Sequence, residues 1–177
     1  MRKDFTIAAC PAAPQHASLR ASLLAAREER QARLDELFPA PYPATVMLSL
    51  NLPGDAKGGE RAGRLFAWGE QALAAALEVH PLFRGWDALG PFGLYRCGFD
   101  AVLVKRSCIR VESSHPAGRL LDLDIFDHAG RPVDRSGLGI APRSCLLCPE
   151  PALACIRAER HASAELQARA HQVIDAL

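Results

Sequence analysis

The stretch RLLDLDIFD, Arg119–Asp127, alternates apolar and polar side chains, the period-two pattern of a half-buried β-strand. Read as a strand, it projects Leu121, Leu123 and Ile125 to one face and Asp122 and Asp124 to the other. Upstream, CIRVES (Cys108–Ser113) alternates in the same way and reads as a second strand, joined to the first by the sharp connection SHPAG. His128–Gly130 follows as a hairpin-type turn. Further out, TVMLSLNL (Thr45–Leu52) is β-branched and apolar and suits a buried strand, and FGLYRCG (Phe92–Gly98) suits a short one. His80–Gly93 carries Pro81, Gly85, Gly90, Pro91 and Gly93 and reads as a loop. Phe99–Arg106 fits either a strand or two helical turns.

Helical spacing dominates elsewhere. Ser18–Phe38 places Leu19, Leu23, Ala26, Arg30, Leu34 and Leu37 on one side, with Ser18 as N-cap and the proline-rich PAPYP as terminator. A second helix is expected over Glu60–Val79. The alanine-rich tail from Pro149 reads as two helical pieces broken near His161. Consecutive strands set among long helices predict an α+β fold. We expect a single domain over 1–177, with a mixed or mostly antiparallel sheet flanked by helices, an irregular start over 1–17, and a Cys/His-rich helical tail over 143–177.

Composition narrows the function. The 21 basic and 20 acidic side chains leave a formal charge of +1, so no global field gathers nucleic acid or an anionic membrane. Hydrophobic residues make up 49% of the chain without a run long enough to span a bilayer. The start lacks the pattern of a secretory signal, and a cytoplasmic location is expected.

Three constellations carry candidate chemistry. Asp122 and Asp124, two residues apart on a strand, suit a shared Mg²⁺, a hard cation that takes carboxylate oxygens and leaves room for substrate phosphates. Alone, an Asp-x-Asp is more often just the exposed polar face of an edge strand; its flanking residues are what point to chemistry. The preceding Ser114-His115-Pro116-Ala117-Gly118-Arg119 adds an imidazole able to shuttle a proton or merely hold a turn, and a guanidinium able to grip phosphate. The second constellation is Asn51–Glu60, a strand-to-helix passage. There Gly54, Lys57 and Arg61 could receive phosphate at a helix start, with Arg64 extending the cationic patch, although the spacing is not that of a P-loop.

The third is Cys145-x2-Cys148-x6-Cys155-x5-His161. Paired thiolates with two further soft ligands nearby match a closed tetrahedral Zn²⁺ site that would clamp the tail to the body. The competing reading packs the cysteines as small hydrophobes. A thioredoxin-like redox role lacks its βαβ setting.

Together HPAGRLLDLDIFD and PRSCLLCPEPALACIRAERH, with NLPGDAK and REERQARL upstream, resemble the apo-citrate lyase phosphoribosyl-dephospho-CoA transferase family, also called holo-citrate lyase synthase. The resemblance runs from about Leu24 to the C-terminus and is weakest over His80–Gly98. It implies a nucleotidyltransferase reaction in which the donor is 2'-(5''-triphosphoribosyl)-3'-dephospho-CoA. The implied acceptor is a serine of the apo acyl carrier (gamma) subunit of citrate lyase, and pyrophosphate is released. On this sequence it implies Asp122 and Asp124 as Mg²⁺ ligands, Arg119 and Lys57 as phosphate contacts, and Glu112, Asp127 or His115 as third ligand or base. Two alternatives stay open: the same chemistry on the malonate decarboxylase carrier, and a zinc-stabilised binding module without catalysis.

Overall fold

The computed structural model describes residues 16–54 and 57–177, so the expected irregular start lies almost wholly outside the described residues. Helix α1 spans His16–Asp35, strand β1 Ala44–Leu50 and helix α2 Glu60–Ala76. Strands β2 (Val79–Asp87) and β3 (Gly90–Cys97) follow, then helix α3 over Ala101–Ser114. A 3-10 turn over Pro116–Leu120 leads into strand β4, Leu121–Asp127. Two helices close the chain, α4 (Ala152–Arg157) and α5 (Ser163–Asp175). The sheet order is β2-β3-β1-β4, and each neighbouring pair is antiparallel. The expected α+β class with its Cys/His-rich helical tail is therefore what the chain adopts.

One face of the sheet carries the hydrophobic core. Val46 and Leu48 of β1 and Leu121, Leu123 and Ile125 of β4 pack with Leu65 and Leu73 of α2, Val104 and Cys108 of α3, and Val173 and Ile174 of α5. The alternation of β4 dictates this arrangement, because Leu121, Leu123 and Ile125 are buried while Asp122 and Asp124 stay partly exposed on the opposite face. That opposite face is met by α1. Arg30 of α1 donates to both carboxylate oxygens of Asp87 at 2.7 Å and to Gly90 O at 2.9 Å, and its guanidinium lies 4.1 Å from the Phe92 ring centroid.

Four sequence-based expectations are corrected. Helix α1 is already formed at His16, where the described residues begin, so Ser18 lies within the helix rather than at its N-cap. The segment expected as a loop over His80–Gly93 forms β2, the hairpin turn and the start of β3. Its Pro81 is tolerated because β2 is an edge strand, and the register shifts between Pro81 and Phe83. CIRVES is not a strand but the second half of α3, and the ambiguous Phe99–Arg106 supplies the first half. The overlooked signal is Asp100, whose carboxylate accepts from Val102 N and Leu103 N at 2.9 and 3.4 Å, an N-cap that commits the segment to helix. Helix α2 ends at Ala76, short of the expected Val79.

Being the sheet edge, β4 exposes backbone groups that need partners. Side chains supply most of them: Lys105 donates to Leu123 O at 2.8 Å, Glu112 accepts from Leu123 N at 3.3 Å and Arg143 donates to Leu121 O at 3.0 Å. Val133 N completes the edge by bonding Ile125 O at 2.8 Å.

Candidate active site and metal-binding cluster

Asp122 lies opposite Ser49, and Asp124 opposite Met47, across the β1–β4 ladder. Cross-strand partners share a face, so the two carboxylates stand beside the Ser49 hydroxyl. They line a cavity of about 380 Å³ together with Arg27 and Gln31 of α1, Asn51 just beyond β1, and Lys57. Lys57 Nζ donates to Leu52 O, which holds its ammonium at the end of β1. Burial first, and then the Asp122 carboxylate, push Asp124 up to about 6. Two carboxylates gathered on a partly buried face in this way favour a proton or a cation between them.

The sequence reading missed the organiser of this site, Arg143. Its Nη2 donates to Asp122 Oδ1 at 2.9 Å and to Glu112 Oε1 at 2.5 Å. Glu112 is buried at 4% exposure and also accepts from Arg135 at 2.6 Å. With Leu123 N as a further donor, its oxygens are occupied by α3–β4 and loop contacts rather than turned to the Asp122–Asp124 face. Asp127, the other candidate ligand, closes the turn after β4 by accepting from Ala129 N, Arg131 N and Arg131 Nε. Those bonds, the backbone one to Arg131 foremost, hold its carboxyl below the usual range.

The remaining predicted residues are dispersed. His115 Nδ1 accepts from Ala117 N at 3.1 Å, and its ring lies 5.1 Å from that of Trp68, a turn-holding arrangement. It faces a depression of about 660 Å³ shared with Arg119, Arg135 and Arg143. Arg119 Nε donates to Ser144 O at 2.7 Å; burial, then the nearby Arg143, lowers its pKa. Gly54 borders a groove of about 610 Å³ with Arg119, Cys145, Cys155 and Asn51. Arg61 instead forms a two-point ion pair with Asp175 at 2.8 and 2.9 Å, and Arg64 joins it at 2.6 Å. That cluster ties α5 to α2. Of the predicted phosphate contacts, the structure thus brings only Lys57 to the aspartate pair.

The soft ligands converge. One donor atom each from Cys145, Cys148, Cys155 and His161 lie within 4.8 Å of one another. Cys148 Sγ is 3.4 Å from Cys155 Sγ and 3.3 Å from His161 Nε2. Leu147 N points at Cys145 Sγ from 3.5 Å, a contact that favours a thiolate. These residues can hold a metal ion. Among the described residues no helix is long and apolar enough to cross a membrane.

The whole arrangement has relatives. The sequence profile of the family described as apo-citrate lyase phosphoribosyl-dephospho-CoA transferase matches residues 19–177. A protein of that name from Escherichia coli O139:H28 is 32% identical over 172 residues, covering 92% of each chain. Its namesake from Shigella boydii serotype 18 is 31% identical over the same share. A match of this length takes in β4, its aspartates and the Cys/His tail together, and the chain belongs to the apo-citrate lyase phosphoribosyl-dephospho-CoA transferase family.

Proposed function

We propose that the protein transfers the phosphoribosyl-dephospho-CoA part of 2'-(5''-triphosphoribosyl)-3'-dephospho-CoA to a serine of the apo acyl carrier subunit of citrate lyase, in the cytoplasm, with release of pyrophosphate. The observation that carries this reading is the cavity in which Asp122 and Asp124 meet Ser49, Asn51, Lys57 and Arg27, within a chain of this family. Asp122 and Asp124 are the residues that would hold Mg²⁺. Their fit rests on position: the two carboxylates project from one face of β4 and line one cavity, where burial and then the Asp122 charge push Asp124 up to about 6. Bound Mg²⁺ supplies charge neutralisation on the triphosphate oxygens.

The chain's own groups do the rest. Lys57 and Arg27 contribute positive charge on the wall facing the aspartates and orient the triphosphate. The serine oxygen of the carrier attacks the α-phosphorus and forms the new P–O bond. The bond to the pyrophosphate oxygen breaks, pyrophosphate carries off the electron pair, and the serine proton passes to a base. Arg143 keeps Asp122 in place, and His115 holds the turn that leads into β4. At the tail, three thiolates and one imidazole form the donor set of a closed structural Zn²⁺ site, and zinc is the ion we assign to it.

The test is transfer of labelled donor to purified apo acyl carrier subunit with Mg²⁺ or with EDTA, for the wild type and Asp122→Asn. Labelling should need both the metal and Asp122. Labelling of the malonate decarboxylase carrier instead would move the acceptor without changing the chemistry. A wild type that labels neither carrier under any metal would sink the transferase reading.

A further inference from the structure

The segment from Arg143 to His161 folds without a core of its own. Only Cys145 and Cys155 are buried within it, whereas Leu147, Leu153 and Ile156 are 38%, 54% and 68% exposed. Its backbone is nevertheless ordered into a tight double-back: Cys145 N donates to Glu150 O at 2.6 Å and Ala152 N to Arg143 O at 2.9 Å, with a bridge between Ser144 and Pro151. A few backbone bonds, with Leu146 the one larger apolar side chain of the segment packed against the main core, do not offset the entropy of fixing such a loop. What the segment does have is four soft donor atoms drawn together at its centre, and a cation shared among them supplies folding free energy directly.

The same segment delivers an arginine to the aspartate pair. Arg143 stands two residues before Cys145 and touches Asp122, Glu112 and Leu121 O. Between them, Ser144 O accepts from Arg119. A metal-ligating cysteine, a two-residue link and the carboxylate proposed to hold Mg²⁺ thus form one continuous chain of contacts.

We propose that zinc at Cys145, Cys148, Cys155 and His161 fixes the loop so that Arg143 positions Asp122, making the tail's metal a determinant of the geometry of the reacting site. The proposal rests on the reading of Asp122 and Asp124 given above. Arg143 is a positioning residue in it: it orients one carboxylate and, through Glu112, braces the Leu123 amide of the same strand. Zinc performs no chemistry on the substrate.

The experiment uses the full chain, zinc-loaded or stripped with a chelator under reducing conditions, alongside Arg143→Gln, Arg143→Lys and Cys148→Ser. About one zinc per chain is expected, and Co²⁺ substitution should give the intense visible bands of a tetrahedral thiolate site, which Cys148→Ser loses. Stripping should speed amide exchange across 143–161 and at Leu123, while α2 keeps its protection. In transfer assays, stripped wild type and zinc-loaded Arg143→Gln should each lose roughly 10–100-fold in kcat, the usual cost of removing a partner that orients a ligand. KM for the donor should change little, Arg143→Lys should recover part of the loss, and stripping Arg143→Gln should cost nothing further.

A chain that takes up no zinc overturns the proposal. So does a stripped wild type with Leu123 protection unchanged. If no carrier is labelled at all, the transferase reading fails by itself, and Leu123 protection with and without zinc still decides the coupling.

Discussion

Asp124 occupies a position that an ionised carboxylate resists. Burial is the larger cause and the Asp122 charge the second, and together they push its pKa to about 6, against about 3.9 in an unfolded chain. The folded protein therefore binds this proton more tightly than the unfolded one. The associated stability is complete below the unfolded value and is lost as pH rises through 6, after which the penalty is constant. Asp124→Asn removes the charge and keeps the shape. In EDTA, where no cation offsets the repulsion, the variant should be more stable than wild type by about 3 kcal/mol at pH 8 and no more stable at pH 3. Urea midpoints at the two pH values check this, and equal midpoints at pH 8 would show that the Asp124 carboxylate carries no penalty. A residue whose removal stabilises the fold is one retained for function, the usual trade at reacting sites.

Among the elements, the 3-10 turn between α3 and β4 has the least room. A Cβ on Gly118 would stand 2.5 Å from Val111 O and 2.9 Å from Glu112 O, both backbone atoms at the end of α3 that cannot swing aside. Gly118→Ala should therefore cost about 1–3 kcal/mol, as overpacking does, and lower Tm by several degrees; an unchanged melt would show slack in this junction. The glycine of SHPAG thus matters for close approach, where the sequence suggested only a sharp connection. Legibility followed the same physics. α2 and β4 were readable because their period comes from burial on a single face, and β4 disclosed the aspartate pair with it, while β1 was readable as an unbroken apolar, β-branched run buried on both faces. α3 was not, because its buried side includes Lys105 and Glu112, charged residues that serve the β4 edge and break the apolar stripe. β2 hid behind Pro81 and Gly85, which an edge strand accepts. Ser49 joins the site only through strand register, and Arg143 only through a loop whose path the cysteine spacing hinted at but did not trace.

Across the whole molecule, the two faces of the sheet are secured unequally. Helices α2, α3 and α5 cover one face with a continuous apolar core. On the other, α1 buries Ala26, Leu34 and the guanidinium-bearing Arg30, itself 7% exposed. That face also holds the proposed reacting site, whose wall includes Arg27 and Gln31 of the same helix. Retention of α1 then depends on Arg30, through two bonds to Asp87, one to Gly90 O and the face of Phe92. Hydrogen bonds to charged groups contribute about 1.5–3 kcal/mol each, so losing this clamp removes more than Ala26 and Leu34, the buried apolar side chains of α1 among the described residues, supply. Elements docked this way open locally, ahead of the global transition. Arg30→Met preserves much of the buried volume and deletes the clamp. It should accelerate amide exchange across residues 20–35 at least roughly tenfold, while β1 and α2 stay protected, and it should weaken donor binding as Arg27 and Gln31 leave the cavity wall. Equal acceleration in α1 and the sheet would mean that the helix unfolds only with the core. No acceleration would mean that Ala26 and Leu34 hold it without the arginine, and the local-opening account of this face would fall.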